Sequence, residues 1–258
     1  MLAPTTTNSW VKNPGYDSAA SSLFARMSSE PSATRKGHIN TLISALKTAG
    51  IWTKLDVLYI LAAHDAQAAR LNWKADAYNL TAVNSPTFTT DRGYAGDGST
   101  SYLDTGWDAA TNGAQFTQNS ATIFGWSRTA GQNNGFWLGT GTALSIALRP
   151  RSTADALRYY VNAASLTDVA NTDGSGLLAA SRSGANATQS YRNGNSIGSA
   201  GSVASGALSS VDVNIGRCNS TFNPAQCAAM GLGANLNATE HAALYTALNT
   251  YLTAVGAA

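Results

Sequence analysis

Apolar positions along the chain follow two periods. Over 32–49, Ile39, Leu42, Ile43 and Leu46 recur at i, i+3, i+4 and i+7, which predicts an amphipathic helix stopped by Gly50. A second helix is predicted over 237–255. There Asn237 and Glu240 form a capping-box pattern, Leu244, Leu248, Tyr251, Leu252 and Val255 make the stripe, and Gly256 ends it. Ile51 to Leu55 reads as a short helical turn. The run VLYILAA, 57–63, is too short and too apolar to be read by period; a strand buried on both faces is favoured over a helix.

A period of two takes over from the stretch GYAGDGSTSYLDTGW, 93–107, where a Gly/Asp/Ser turn cluster leads into a half-buried strand. A sandwich is expected to begin there. Further strands are predicted at 121–128, 135–139, 144–149, 157–162, 177–182, 188–192 and 211–217, with hairpin turns at 183–186 and at Asn193-Gly194. So many short strands predict a sandwich or barrel.

Composition narrows the partners. Charged residues make up 12% of the 258-residue chain and the net charge is +2, with no basic run. Electrostatic capture of nucleic acid is therefore not expected. Ser, Thr, Asn and Gly carry the polarity, a surface suited to sugars or to packed neighbours. No segment approaches the ~18 apolar residues of a membrane span. The N-terminus lacks the pattern of an export signal, so Sec-type export is not expected.

The order GDGSTSYLDTG (96–106), ATIFGWSR (121–128), SYRNG (190–194), VDVNIGR (211–217) and TEHAALY (239–245) resembles the concanavalin A-like, or laminin-G-like, jelly roll. Upstream, TLISALKTAGIWTKLDVLYILAAHDAQAARLNW (41–73), running into SPTFTTDRGYAGDGSTSYL (85–103), resembles a leader found ahead of such jelly rolls in virion proteins of tailed bacteriophages and prophages. The resemblance implies a mainly β protein: a concanavalin A-like jelly-roll β-sandwich with an N-terminal helical leader and a C-terminal surface helix. The expected division is an arm at 1–31 with an isolated Trp10, a leader at 32–71 packed on the sandwich, and the sandwich with its C-terminal helix at 72–258. It also implies a virion component: a tail fibre, spike, head-fibre or decoration protein. Such a component would bind other virion proteins through its arm, form a homo-oligomer, and adhere to bacterial surface polysaccharide.

Catalysis is not expected from the residues. Glycoside hydrolases on this sandwich place carboxylates in an E-x-D-x-E pattern, whereas this chain has two glutamates, Glu30 in the arm and Glu240 at a helix cap. The rival reading is a polysaccharide-degrading hydrolase using an Asp pair. Gly194, Ser196 and Gly198 match a nucleophile-elbow pattern, but a hairpin turn precedes them and no helix follows. His38, His64 and His241 show no metal spacing, and His64-Asp65 reads as the capped end of a buried segment.

Candidate binding residues are fewer. Asp97, Asp104 and Asp108 cluster around the organising stretch, where turn oxygens would hold calcium, or where the side chains would serve only their own backbone. Trp126 and Trp137 lie within strands and read as core. Trp107, Tyr159, Tyr160 and Tyr191 are candidates for stacking on a sugar ring, with core packing as the competing role. Cys218 and Cys227 are spaced for a loop-closing disulfide, or stand as unpaired thiols. No other cofactor is indicated.

Overall fold

A computed structural model describes residues 15–141, 145–163 and 165–258. Trp10 and the expected strand start at Leu144 lie outside them. The chain opens with α1 (Ser18–Phe24) and α2 (Ala33–Thr48). Asp17 caps α1 through the Ala19 amide, and Ser32 caps α2 through the Arg35 amide. The predicted stripe of Ile39, Leu42, Ile43 and Leu46 is buried. The helix ends in a Schellman motif: Gly50 takes φ +71°, its amide donates to Lys47 O, and the Ile51 amide donates to Leu46 O. Asp17 ties α1 to α2, accepting from Lys47 at 2.6 Å while its amide donates to Asn40.

A 3₁₀ turn at Trp52–Lys54 leads into β1 (Leu55–Ile60). Then come β2 (Thr81–Val83), β3 (Thr87–Thr89), β4 (Gly93–Ala95), β5 (Tyr102–Asp104), β6 (Ala121–Ser127) and β7 (Leu138–Thr140). After these come β8 (Ile146–Arg149), β9 (Ala156–Val161), β10 (Thr167–Ala170), β11 (Gly176–Gly184), β12 (Ala187–Arg192) and β13 (Asn195–Gly201). The last elements are β14 (Val213–Ile215), β15 (Arg217–Cys218), β16 (Thr221–Phe222), β17 (Cys227–Gly233) and α3 (Ala238–Ala254).

Antiparallel pairing sorts these strands into an eight-stranded sheet, β13-β12-β11-β6-β17-β4-β3 with β1 also on β17, and a seven-stranded sheet, β10-β9-β8-β7-β14-β5-β2. The β15–β16 hairpin stands apart. The chain is a jelly-roll β-sandwich with helices laid on one sheet. Among the described residues no helix is long and apolar enough to cross a membrane.

The eight-stranded sheet separates two cores. Between the sheets lie Val57, Tyr59, Ile123, Trp137, Leu148, Leu157, Tyr159 and Leu232. On the opposite face Leu58, Ile60, Phe124, Trp126, Leu177 and Ala179 pack under α2 and α3. Alternate residues of β1 thus enter different cores, which explains the uninterrupted apolar run. Burying each such Leu, Ile or Phe contributes on the order of 1.5–3 kcal/mol. Two glycines let the layers close: a Cβ on Gly125 would meet Trp137 at 2.7 Å, and one on Gly231 would meet Phe124 at 2.4 Å.

Two expectations change. β1 pairs with β17 over Leu55–Ile60, so the leader supplies a sheet strand and a boundary at residue 72 does not separate it from the sandwich. For the same reason the sandwich begins at Leu55 rather than at Gly93. The capping box at Asn237 and Glu240 forms as predicted.

Candidate functional site

Three of the four aromatics expected at a sugar site are core residues. Trp107 is fully buried, edge-on to Phe116, and donates Nε1–H to Asn112 O. Tyr159 is 1% exposed in the inter-sheet core. Tyr191 stacks on His241 with ring centroids 3.7 Å apart under α3. Only Tyr160 faces out, and it is half-buried against Phe136. The reason is register: in β9 neighbouring side chains point to opposite faces, and the one that packs inward is Tyr159.

The three aspartates do not converge. The Asp97 carboxylate accepts from the Ser99, Thr100 and Ser101 amides and from Thr100 Oγ1, and these bonds hold its pKa far below the usual carboxylate range. Asp104 accepts from the Gly106 amide and Asp108 from the Thr111 amide. Each serves its own turn, and among the described residues no three His, Cys, Asp or Glu side chains are grouped to hold a metal.

The cysteines are not bridged. Both are buried free thiols. Cys227 lies between the sheets, whereas Cys218 sits on the far side of the seven-stranded sheet with Phe136 and Ala147.

Of the remaining motifs, Ser196 lies in strand β13 rather than at a strand-to-helix elbow. Asp65 caps the turn that follows it through the Gln67 and Ala68 amides, with His64 at 3.1 Å. Ser181 Oγ and His241 Nε2 lie 2.7 Å apart, but both residues are buried beneath α3. A cleft of about 480 Å³ between α2 and α3 is lined mainly by Ala and Thr, and two of its Thr hydroxyls, Thr246 and Thr250, bond back to their own helix.

The outer face of the seven-stranded sheet gathers the polar and aromatic groups. Ile146, Leu148, Leu157, Tyr159 and Val161 fill the inter-sheet core, so Ala147, Arg149, Arg158 and Tyr160 face away. Register aligns Tyr160, Ala147, Gly139, Asn214 and Asp104 in one row, and Asp168, Arg158 and Arg149 in the next. The Arg149 guanidinium lies 4.5 Å from the Phe136 ring. Arg217, on the hairpin beside the sheet, stacks on Tyr102 at 4.9 Å and lies 5.8 Å from Phe222. Arg158 pairs with Asp168 at 3.0 Å.

Among the described residues three polar atoms here are buried without a partner: Arg149 Nε, Arg158 Nε and Asn214 Oδ1. Arg149 is 9% exposed and Asn214 is 3% exposed. Each of these atoms is closed off from solvent, so a ligand on this face would meet the partly exposed Arg158, Arg217, Tyr102, Tyr160 and Phe222 rather than the unpaired atoms. Of the residues named on this face, sequence reasoning singled out Tyr160 and Asp104 and missed the rest. The signal was present in IALR and LRYYV, where an arginine interrupts each apolar strand at an outward position.

No family model and no curated protein matches the chain. Its fold is similar to Trypanosoma rangeli sialidase, at 14% identity and TM-score 0.56, over 85% of this chain and 40% of the sialidase. It is also similar to domain 4 of AbnA, a GH43 extracellular arabinanase from Geobacillus stearothermophilus, in complex with arabinotriose. That likeness has 14% identity and TM-score 0.50, over 74% of this chain and 98% of the domain. A third likeness is to the botulinum neurotoxin serotype D binding domain, at 8% identity and TM-score 0.52, over 75% of this chain and 52% of that domain. The chain spans about two fifths of the sialidase's length. The fold is therefore that of lectin-like and glycosidase-like β-sandwiches. This corrects the expectation of a non-enzymatic protein: enzymes are among the structures sharing the fold, so the fold does not argue against catalysis.

Proposed function

We propose that the chain is a carbohydrate-recognition sandwich whose outer seven-stranded face holds the glycan. The observation that carries this reading is the pair of rows across that face. Arg158 and Arg217 keep partial exposure there, with Arg149 stacked on Phe136, beside the Phe136–Tyr160 and Tyr102–Phe222 aromatic pairs. Sugars present hydroxyls at the ring edge and C–H groups on the ring face, and a planar guanidinium next to an aromatic ring meets both. The likeness to a domain seen with arabinotriose supports the same class of ligand.

The test is a glycan array followed by calorimetry on wild type and Arg149→Ala. Binding that falls about tenfold or more in the variant supports this face. A glycan bound equally by both proteins places recognition elsewhere.

The leader's resemblance to phage virion proteins supports a setting for this module. It would be displayed on a tailed-phage particle as a fibre, spike or decoration component, docked through its N-terminal arm and assembled as a homo-oligomer to adhere to bacterial surface polysaccharide. Immunogold labelling of intact particles tests this: gold on tail, fibres or capsid supports it, and bare particles reject it.

A second reading, glycoside hydrolysis, rests on Asp212. Burial raises the pKa of its carboxyl, and the neighbouring Asp104 and Asp108 carboxylates add to the rise. A carboxyl whose proton is held more tightly beside two further carboxylates is the feature an acid catalyst uses. Turnover of sialosides or arabino-oligosaccharides that Asp212→Asn abolishes would support this reading; no turnover by the wild type would reject it.

A further inference from the structure

On the opposite side of the molecule a cleft of about 400 Å³ opens between α1, α2 and the loop at 73–76. Its walls include Arg26, Lys47 and Lys74 together with Trp52 and Trp73. Two of the cations are matched. Asp17 pairs with Lys47 at 2.6 Å, and the largely exposed Asp76 approaches Arg26 at 3.5 Å.

Among the described residues no carboxylate pairs with Lys74. Its ammonium bonds to the Trp52 carbonyl and lies 4.4 Å from the Trp52 ring, while the Lys47 ammonium lies 5.8 Å from the same ring. Two like charges thus share one indole. Burial first, and Lys47 in addition, push Lys74 down to about 8 against the opposing pull of Asp56. Asp56 is already occupied by the amides of Ala114, Gln115 and Phe116.

The second observation is independent of charge. Trp73 is 3% exposed, and its indole N–H is buried with no acceptor among the described residues. A buried indole N–H normally finds a partner. The cleft therefore carries one cation more than its two carboxylates match, beside an indole N–H without an acceptor among the described residues.

We propose that this cleft binds the oxyanion of a small acidic ligand, with Lys74 as charge partner and the Trp73 indole as a neutral donor. The carboxylate of an acidic sugar and a free phosphate or sulfate share this chemistry. The site lies behind the helical layer and does not depend on the glycan face.

The experiment titrates the full chain with sodium glucuronate, phosphate and sulfate, with glucose as the neutral control, following tryptophan fluorescence and calorimetry. The proposal expects saturable binding of at least one anion and none of glucose. Lys74→Met should weaken that binding about tenfold or more, and Arg149→Ala should leave it unchanged. Glucuronate alone would identify an acidic sugar, and equal binding of phosphate or sulfate an inorganic oxyanion. A second measurement needs no variant: NMR of the lysine side chains should show the Lys74 titration move to higher pH when the anion is bound. No anion binding at tens of millimolar, or a Lys74 titration indifferent to the bound anion, overturns the proposal.

Discussion

Ser181 and His241 share a 2.7 Å hydrogen bond between α3 and the eight-stranded sheet, where neither is more than 2% exposed. Ser181 continues to Thr122 at 2.5 Å, and Thr122 accepts from the Leu236 amide. The chain of bonds ties the start of α3 to the centre of the sheet. His241 Nδ1 has no partner among the described residues, so the doubly protonated ring would carry a buried, unpaired Nδ1–H.

Stability should therefore fall in mild acid. Burial lowers the His241 pKa to about 3, while an unfolded histidine titrates near ~6.5. The unfolded chain then binds more protons below ~6.5, so the contribution is complete above that pH and is lost as pH falls towards about 3. By pH ~4 the loss should be on the order of 3 kcal/mol. Urea unfolding of wild type and His241→Gln at neutral and acid pH checks this. The variant keeps a partner for Ser181 and should lose less stability on acidification; parallel curves would refute the buried neutral imidazole.

Two glycines of the 93–107 stretch should respond differently to alanine. Gly93 has φ +105°, and a Cβ there would lie 1.9 Å from the Cys227 carbonyl, inside the β4–β17 pairing. Gly106 has φ +61° with nothing within 4 Å. Gly93→Ala should cost about 3 kcal/mol or more, through both strain and displaced backbone. Gly106→Ala should cost about 1 kcal/mol, from conformation alone. Denaturation midpoints decide it, and equal losses would contradict the close approach at Gly93.

These contrasts show what the sequence made legible. Ile39 to Leu46 and the Asn237 capping box announced their helices because period and caps are local properties. The VLYILAA run could be read as a strand because burial on both faces removes alternation. Which of Tyr159 and Tyr160 faces outward was not readable, since a shift of one residue in register exchanges them. Nor was the seat of Cys218: it depends on the β15–β16 hairpin packing onto the outer face at Gly139, a tertiary event with no local signature. Asp97 looked like a metal ligand because a turn-capping carboxylate and a calcium-binding one share the same Gly/Asp/Ser neighbourhood.

The two thiols should behave as inert core groups. Burial pushes Cys218 up to about 12 and Cys227 well above the ordinary thiol value, so at neutral pH almost no thiolate is present in either. With the seven-stranded sheet between them, they cannot meet without unfolding. A thiol-reactive dye should label neither in the native protein and both in denaturant, and the intact mass should correspond to reduced cysteines. Rapid native labelling, or a mass lower by two hydrogens, would contradict this placement.

Tyr160 offers the sharpest separation of binding from folding. Its neighbour Tyr159 is core, whereas Tyr160 rests half-buried on Phe136 with ring centroids 5.8 Å apart. Tyr160→Ala removes one wall of the glycan face and little of the core, so the fold should lose about 1 kcal/mol while glycan affinity drops about tenfold. Tyr159→Ala should do the reverse, costing about 3 kcal/mol or more of stability through the cavity it leaves. If its surviving folded fraction binds glycan normally, the two effects are resolved. Calorimetry against the best array ligand, paired with urea unfolding of both variants, measures each. Undiminished affinity in Tyr160→Ala would remove the aromatic half of the proposed face and leave recognition to the arginines alone.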